Sequence, residues 1–248
     1  MAGRFQDKVV LITGASSGIG AETARQLAAE GAKLALLARR ADKLASVKSE
    51  VEALGAPVLT FTTDVSDRAA LDAAVADTLA AFGRIDIVLA NAGTGVTGPI
   101  FKLTVDDYRR QFETNVFGLL NTIYASLDAL KASRGQLGLL GSVAGVVGTP
   151  SASAYNASKF AVNGLGESIY HDLDELGISV TLIKPGFVDS EIRLLDRQGK
   201  VSDKPDPVPA WLVMSTPAAA RVILSALHRR KPEVTVTFHG KVFTWCKR

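Results

Sequence analysis

A chain of 248 residues, 47% hydrophobic and 21% charged, is long enough to bury one sizeable α/β core and too apolar for a disordered or fibrous protein. Its 28 Lys and Arg against 25 Asp and Glu leave a formal net charge of +3, interspersed along the chain, so charge gives no reason to expect a nucleic-acid partner. One cysteine, Cys246, excludes an internal disulfide framework and a cysteine-based structural metal site, and His171, His228 and His239 lack metal-ligand spacing, so no metal is expected. No apolar run approaches the roughly 18 residues of a membrane span, and residues 1–8 lack a signal-peptide core, which makes the cytoplasm the expected address.

In chain order, residues 8–13 form a short β-branched apolar run, the pattern of a strand buried on both faces of a parallel sheet. A glycine turn follows, Gly14, Gly18 and Gly20 in Gly-x-x-x-Gly-x-Gly spacing with Ser16, Ser17 and Ile19 between them, and then a good helix former over 21–30. Strand, glycine turn and helix make the phosphate-binding half of a dinucleotide fold. Glycine lets the backbone approach a pyrophosphate, whose charge the helix N-terminus favours. The second strand, 33–38, ends not in an acid for a ribose 2′-hydroxyl but in Arg39 and Arg40, which suit a 2′-phosphate and predict NADP(H) over NAD(H). Residues 58–63 read as the third strand, leading to Asp64 and Val65; an acid there could also cap the helix that runs to residue 83. The fourth strand is 85–90.

Thr104 reads as the N-cap of a long helix that carries Asn115 in its interior, where asparagine is a poor helix former. An apolar run at 139–140 meets a glycine turn at Ser142, whose hydroxyl could bond a substrate oxygen. Tyr155 and Lys159 stand four apart on a predicted helix ending at Gly177, hence on one face. An ammonium beside a phenol lowers its pKa and equips it as a general acid or base. The sixth strand is 178–183, followed by Pro185 and Gly186. From 191 to 215 periodicity fades around a proline-rich loop at 203–209, and Leu194, Leu195, Trp211, Leu212, Val213 and Met214 are candidates for an apolar mouth. A helix over 216–227 and an edge strand over 234–238 precede a basic, aromatic tail that, with Arg229, Arg230 and Lys231, is a candidate for contact with an anionic membrane surface.

These motifs together resemble the short-chain dehydrogenase/reductase family, in its single-domain branch. Residues 13–20 are similar to its cofactor motif, Asn91-Ala92-Gly93 to its motif after the fourth strand, and 155–159 to its active-site helix. The resemblance implies one doubly wound α/β domain of Rossmann type over 1–248, with a substrate lid at 191–215 and a divergent tail. It implies a catalytic set of Asn115, Ser142, Tyr155 and Lys159, with Asn115 in a local irregularity holding a water that connects Lys159 to solvent. Asp64 and Val65 would meet adenine, Lys159 the nicotinamide ribose, and Val188 and Ser190 the nicotinamide carboxamide beside Pro185 and Gly186. Three positions depart from the family pattern: Ser17 stands where many NADP-preferring relatives have Lys or Arg, Ala90 where many have Asn, and Ser190 where Thr is usual. The implied activity is hydride transfer between NADP(H) and a small-molecule carbonyl/alcohol pair, lipophilic or 3-oxoacyl, by a homodimer or homotetramer. The alternatives are an epimerase or dehydratase retaining its nicotinamide, and a dinucleotide-binding module without turnover.

Overall fold

The computed structural model describes residues 3–199, 206 and 208–246. Seven strands, β1 (Val9–Thr13), β2 (Lys33–Ala38), β3 (Val58–Thr62), β4 (Ile87–Ala90), β5 (Gln136–Leu140), β6 (Ser179–Lys184) and β7 (Glu233–Thr235), form one sheet in the order β3-β2-β1-β4-β5-β6-β7. Every pairing is parallel. Helices α1 (Gly18–Ala29), α2 (Ala41–Ala53), α3 (Arg68–Phe82), α4 (Val105–Phe112), α5 (Gly118–Ser133), α6 (Ser153–Asp174) and α7 (Thr216–His228) cover both faces, and α8 (Phe238–Cys246) follows the last strand.

The unbroken apolar run of β1 follows from this layering. Val10 and Ile12 enter a cluster with Leu27 of α1, Val47 of α2 and Ile223 of α7. Val9 and Leu11 point the other way, to Leu71 of α3, Ile123 of α5 and Val162 of α6. Successive strand side chains alternate faces, so a strand with helices on both sides has no polar face. The strand order reverses between β1 and β4, and the fold places its cleft at the carboxyl ends of the strands beside that point.

The C-terminal part differs from the sequence expectation. The run 234–238 is β-branched, yet β7 ends at Thr235 and Phe238 opens α8. Thr237 accounts for the change, because its Oγ1 accepts the Gly240 N–H at 3.3 Å, a side-chain cap that starts a helix. The basic run Arg229–Lys231 also does not join the aromatic tail. It precedes the amino end of the edge strand β7 while α8 follows its carboxyl end, the two ends separated by a strand of about 10 Å. Phe238 and Trp245 of α8 are exposed; Lys247 and Arg248 lie outside the described residues. No helix among the described residues is long and apolar enough to cross a membrane. The segment 191–215, expected as a lid, contains two short 3-10 turns, Glu191–Leu194 and Ala210–Leu212, and its residues 200–205 and 207 lie outside the described residues.

Candidate active site

A cavity of about 650 Å³ opens over the carboxyl ends of the strands. The glycine turn between β1 and α1 forms its floor. Gly14 has φ +67°, and a Cβ on it would lie 2.7 Å from the Ala92 Cα, so this close approach of two turns requires glycine. Gly20 lies behind the cavity wall, and a Cβ there would stand 2.5 Å from the Gly14 carbonyl oxygen. Asn91 fastens the turn: its Nδ2 donates to the Thr13 and Gly14 carbonyls at 2.8 and 3.1 Å, while the Asn91 and Ala92 N–H groups donate to Thr13 Oγ1. Ser17 precedes α1 without capping it through its side chain, and the first turn of α1 holds no acid. The helix N-terminus thus keeps N–H groups and a positive dipole end toward the cavity, the requirement of a pyrophosphate. The chain fits a dinucleotide here.

At the end of β2, Arg39 is exposed and faces Asp64 at 3.5 Å. Arg40 is engaged: one terminal nitrogen meets Glu191 at 2.6 Å and the other donates to Ser17 Oγ at 2.6 Å, and Lys43 pairs with the same Glu191. Asp64 does not cap α3. That role falls to Asp67, whose carboxylate accepts the Ala70 N–H at 3.0 Å. Asp64 closes a turn onto the Ser66 N–H and hydroxyl at 3.0 and 2.9 Å, leaving it beside Val65 on the cavity wall. Partial burial raises the Asp64 pKa, but the two Ser66 bonds and Arg39 outweigh it and hold the carboxyl below its usual range.

Tyr155 and Lys159, one turn apart on α6, both line the other end of the cavity with Ser142. Ser142 Oγ accepts the Ala144 N–H at 3.0 Å and donates its own proton to the Pro185 carbonyl at 3.4 Å, a long bond that a better-placed acceptor can replace. The electrostatics differ from the sequence expectation of a phenol shifted toward neutrality. Burial raises the Tyr155 pKa, opposed by a hydrogen bond with Ser142. The Lys159 ammonium stands 6.0 Å from the Tyr155 ring centre and donates to the Leu140 carbonyl at 2.7 Å. Burial lowers its own pKa to about 8.

The predicted long helix is interrupted at Glu113–Phe117 by a π-helical turn containing Asn115. Asn115 is buried behind the cavity; its Oδ1 accepts the Thr94 N–H at 2.8 Å and its Nδ2 donates to the Thr94 carbonyl and to Ser158 Oγ, each at 3.1 Å. A Cβ on Gly93 would lie 3.4 Å from Asn115 Oδ1 and 3.9 Å from Lys159 Nζ, which places the three together. Thr104 begins α4 in a reciprocal capping box with Asp107.

Asn163 was not among the expected residues. Its Nδ2 donates to the Ser142 carbonyl at 3.0 Å and its Oδ1 accepts the Ser142 N–H at 3.3 Å. The signal was available, since 155, 159 and 163 share one helix face. Asn163→Ala leaves the Ser142 N–H unpaired, a cost of about 1–3 kcal/mol, while the Ser142 carbonyl keeps the Gly145 N–H at 3.0 Å; the variant is expected to lower the melting temperature and to reduce kcat about tenfold, and thermal melts and steady-state kinetics check both.

Pro185, Gly186, Val188 and Ser190 line the cavity after β6. The Pro185 carbonyl accepts from the Val143 N–H at 2.9 Å, Ser190 Oγ donates to the Val188 carbonyl at 3.3 Å, and Val188 bridges Met214. The apolar wall departs from expectation. Leu195 lines this cavity and Leu194 a neighbouring one, but Trp211 is exposed, Leu212 and Val213 stay outside, and Met214 packs on the core. Val143, Val147, Phe187, Val208 and Phe243 take their place. Phe243 and His239 come from α8, far away in sequence.

The family profile described as short chain dehydrogenase matches residues 8–200. The chain is 36% identical over 196 residues to a 2-dehydro-3-deoxy-L-rhamnonate dehydrogenase (NAD(+)) of Sphingomonas sp. (strain SKA58), covering 77% of this chain and 76% of that one. Among solved structures it is similar to levodione reductase, with 30% identity, a TM-score of 0.86 and coverage of 96% and 98%. It is also similar to a short chain dehydrogenase/reductase from Burkholderia phymatum in complex with NAD, with 28% identity, a TM-score of 0.85 and coverage of 94% and 90%. Matched profile, parallel seven-stranded sheet and cavity agree: the chain belongs to the short-chain dehydrogenase/reductase family of oxidoreductases, which bind a nicotinamide dinucleotide and act on small molecules.

Proposed function

We propose that the protein is an NADP(H)-dependent oxidoreductase that interconverts a carbonyl and an alcohol, acting on a lipophilic ketone or 3-oxoacyl group. The observation that carries the reading is one cavity with Ser142, Tyr155 and Lys159 at one end and the glycine turn and Arg39 at the other. In this reading the backbone of Ser16, Ser17, Gly18 and Ile19 holds the pyrophosphate, and Asp64 and Val65 meet the adenine. The Asn91-Ala92-Gly93 turn supports the middle of the dinucleotide, Lys159 its nicotinamide ribose, and Val188 and Ser190 its carboxamide. When bound, the dinucleotide supplies or takes up a hydride.

The protein's own part is proton transfer and positioning. During reduction the Tyr155 phenol gives its proton to the carbonyl oxygen as that oxygen gains charge. Burial favours the protonated phenol that this step consumes. Ser142, whose oxygen accepts the Ala144 N–H, exchanges its long 3.4 Å bond to the Pro185 carbonyl for one to the same substrate oxygen. The buried Lys159 ammonium stabilises the phenolate left behind, and Lys159 with Asn115 returns a proton from solvent; the π turn supports this relay because it frees a backbone carbonyl from its usual helical partner. The apolar wall of Val143, Val147, Phe187, Leu195, Val208 and Phe243 supports a lipophilic substrate. Exposed Phe117 and Tyr124 around and along α5 support a homodimer or homotetramer.

The relatives named with NAD favour the other dinucleotide; the chain's own residues favour NADP(H). No carboxylate ends β2, Arg39 there points its guanidinium at solvent and Asp64, and Arg40 carries charge onto Ser17. Arg39→Ala removes a charge-assisted bond and is expected to weaken NADPH binding about 10–100-fold with NADH binding unchanged. Fluorescence titration with both dinucleotides reads this. Equal NADPH and NADH affinities, insensitive to the substitution, would overturn the preference.

A further inference from the structure

The turn Pro185-Gly186-Phe187 is held at three points. Pro185 accepts from the Val143 N–H, and the Phe187 carbonyl accepts from the Met214 N–H at 2.9 Å. The third hold is a side chain: the Phe187 N–H donates to His239 Nε2 at 3.0 Å. A backbone N–H can only donate, so Nε2 carries no proton and the imidazole proton sits on Nδ1. The His239 ring stacks on Phe187 with centroids 5.1 Å apart and an interplanar angle of 25°. Phe243, one turn further along α8, meets it edge-on at 6.4 Å, and the Thr237 hydroxyl lies 3.1 Å from Nε2. The fit is mutual, since a Cβ on Gly186 would fall 2.4 Å from that nitrogen. His239 also lines the cavity. Its helix lies beyond the stretch that the family profile matches, residues 8–200.

We propose that His239 is a positioning residue: as the Nδ1–H tautomer it fixes the Gly186–Phe187 turn, and through that turn α8 sets the nicotinamide end of the site. The proposal rests on the functional reading above, in which this turn borders the nicotinamide. Burial lowers the His239 pKa, in keeping with a ring that must stay neutral to accept.

The test begins with the free protein. In 15N-histidine NMR spectra of the full chain, with resonances assigned by their loss in His239→Gln, His239 is expected to show a protonated Nδ1 and a bare Nε2. Three variants then separate acceptor from shape. His239→Phe keeps the stacked ring without an acceptor. His239→Gln places an amide oxygen where Nε2 stands, and His239→Asn carries the same amide one methylene short. With NADPH or NADH, whichever wild type binds more tightly, and a cyclic-ketone panel as probes, kcat is expected to fall about 10–100-fold in the Phe and Asn variants and to recover in the Gln variant. Hydrogen exchange at the Phe187 amide should accelerate in step with those losses. If His239→Phe does not fold, the Gln and Asn pair decides. A protonated Nε2, unchanged kcat in His239→Phe, or equal activity of the Gln and Asn variants would overturn the role of His239 alone. A wild-type protein that binds neither dinucleotide would instead overturn the functional reading.

Discussion

Tyr155→Phe is expected to reduce turnover about 10³-fold, within the range of general acid catalysis, while dinucleotide affinity and melting temperature stay close to wild type. The substitution removes one oxygen. It leaves in place the contacts that build the site: the Asn163 bonds to the Ser142 backbone, the Ser158 hydroxyl on the Tyr155 carbonyl at 2.7 Å, and the Lys159 bond to Leu140. Loss of rate without loss of binding is therefore the signature of a missing proton donor. Steady-state kinetics beside a fluorescence titration reads both, and substantial residual turnover would remove Tyr155 from its assigned part.

Lys159→Met is expected to lower activity about 100-fold or more, and to change the pH dependence of stability in a particular direction. The folded protein holds this ammonium buried, with a pKa of about 8 against an unperturbed 10.5. Between those values the unfolded chain carries more protons than the native one, so stability rises with pH across the window. Below about pH 8 the native state bears the full penalty, about 3 kcal/mol for a shift of this size. Without dinucleotide, the wild-type melting temperature is thus expected to contain an upward component between about pH 8 and 10.5 that Lys159→Met lacks. Parallel slopes for the two proteins would show that burial does not shift this ammonium. A site residue that costs the fold stability is consistent with selection for activity over stability.

Much of the architecture was legible because its signals are local and repeat. A strand sandwiched between helix layers has no polar face, and β1, β2 and β4 each read as a short, mostly apolar run. Glycine at 14 and 20 is demanded by contacts that any side chain would fill. The helical spacing of Tyr155 and Lys159 put them on one face without knowledge of the fold, and the same spacing extended by one turn would have found Asn163.

What was not legible depends on tertiary contact. His239 meets a backbone amide 52 positions away, and no local pattern distinguishes it from His171 or His228. The aromatic wall was expected from the lid, at Trp211 and its neighbours, but is supplied partly by α8, whose start hinges on one threonine cap. That Asp67 caps α3 and Asp64 does not is decided by which carboxylate reaches the Ala70 N–H, a geometric matter. The Tyr155 pKa direction was misjudged because spacing reports proximity, whereas burial, which dominates here, depends on the assembled site.

The most direct test of the central claim follows the hydride. The purified protein is incubated with NADPH deuterated at C4 of the nicotinamide, separately on each face, and with a panel of cyclic and 3-oxoacyl ketones; the products are analysed by mass spectrometry. The expected result is one alcohol product heavier by a single deuterium, from one face only, and its loss in Tyr155→Phe. Bound dinucleotide that keeps its deuterium across the panel, or a substrate that is epimerised or dehydrated with no net consumption of NADPH, would contradict the assignment as a carbonyl/alcohol oxidoreductase.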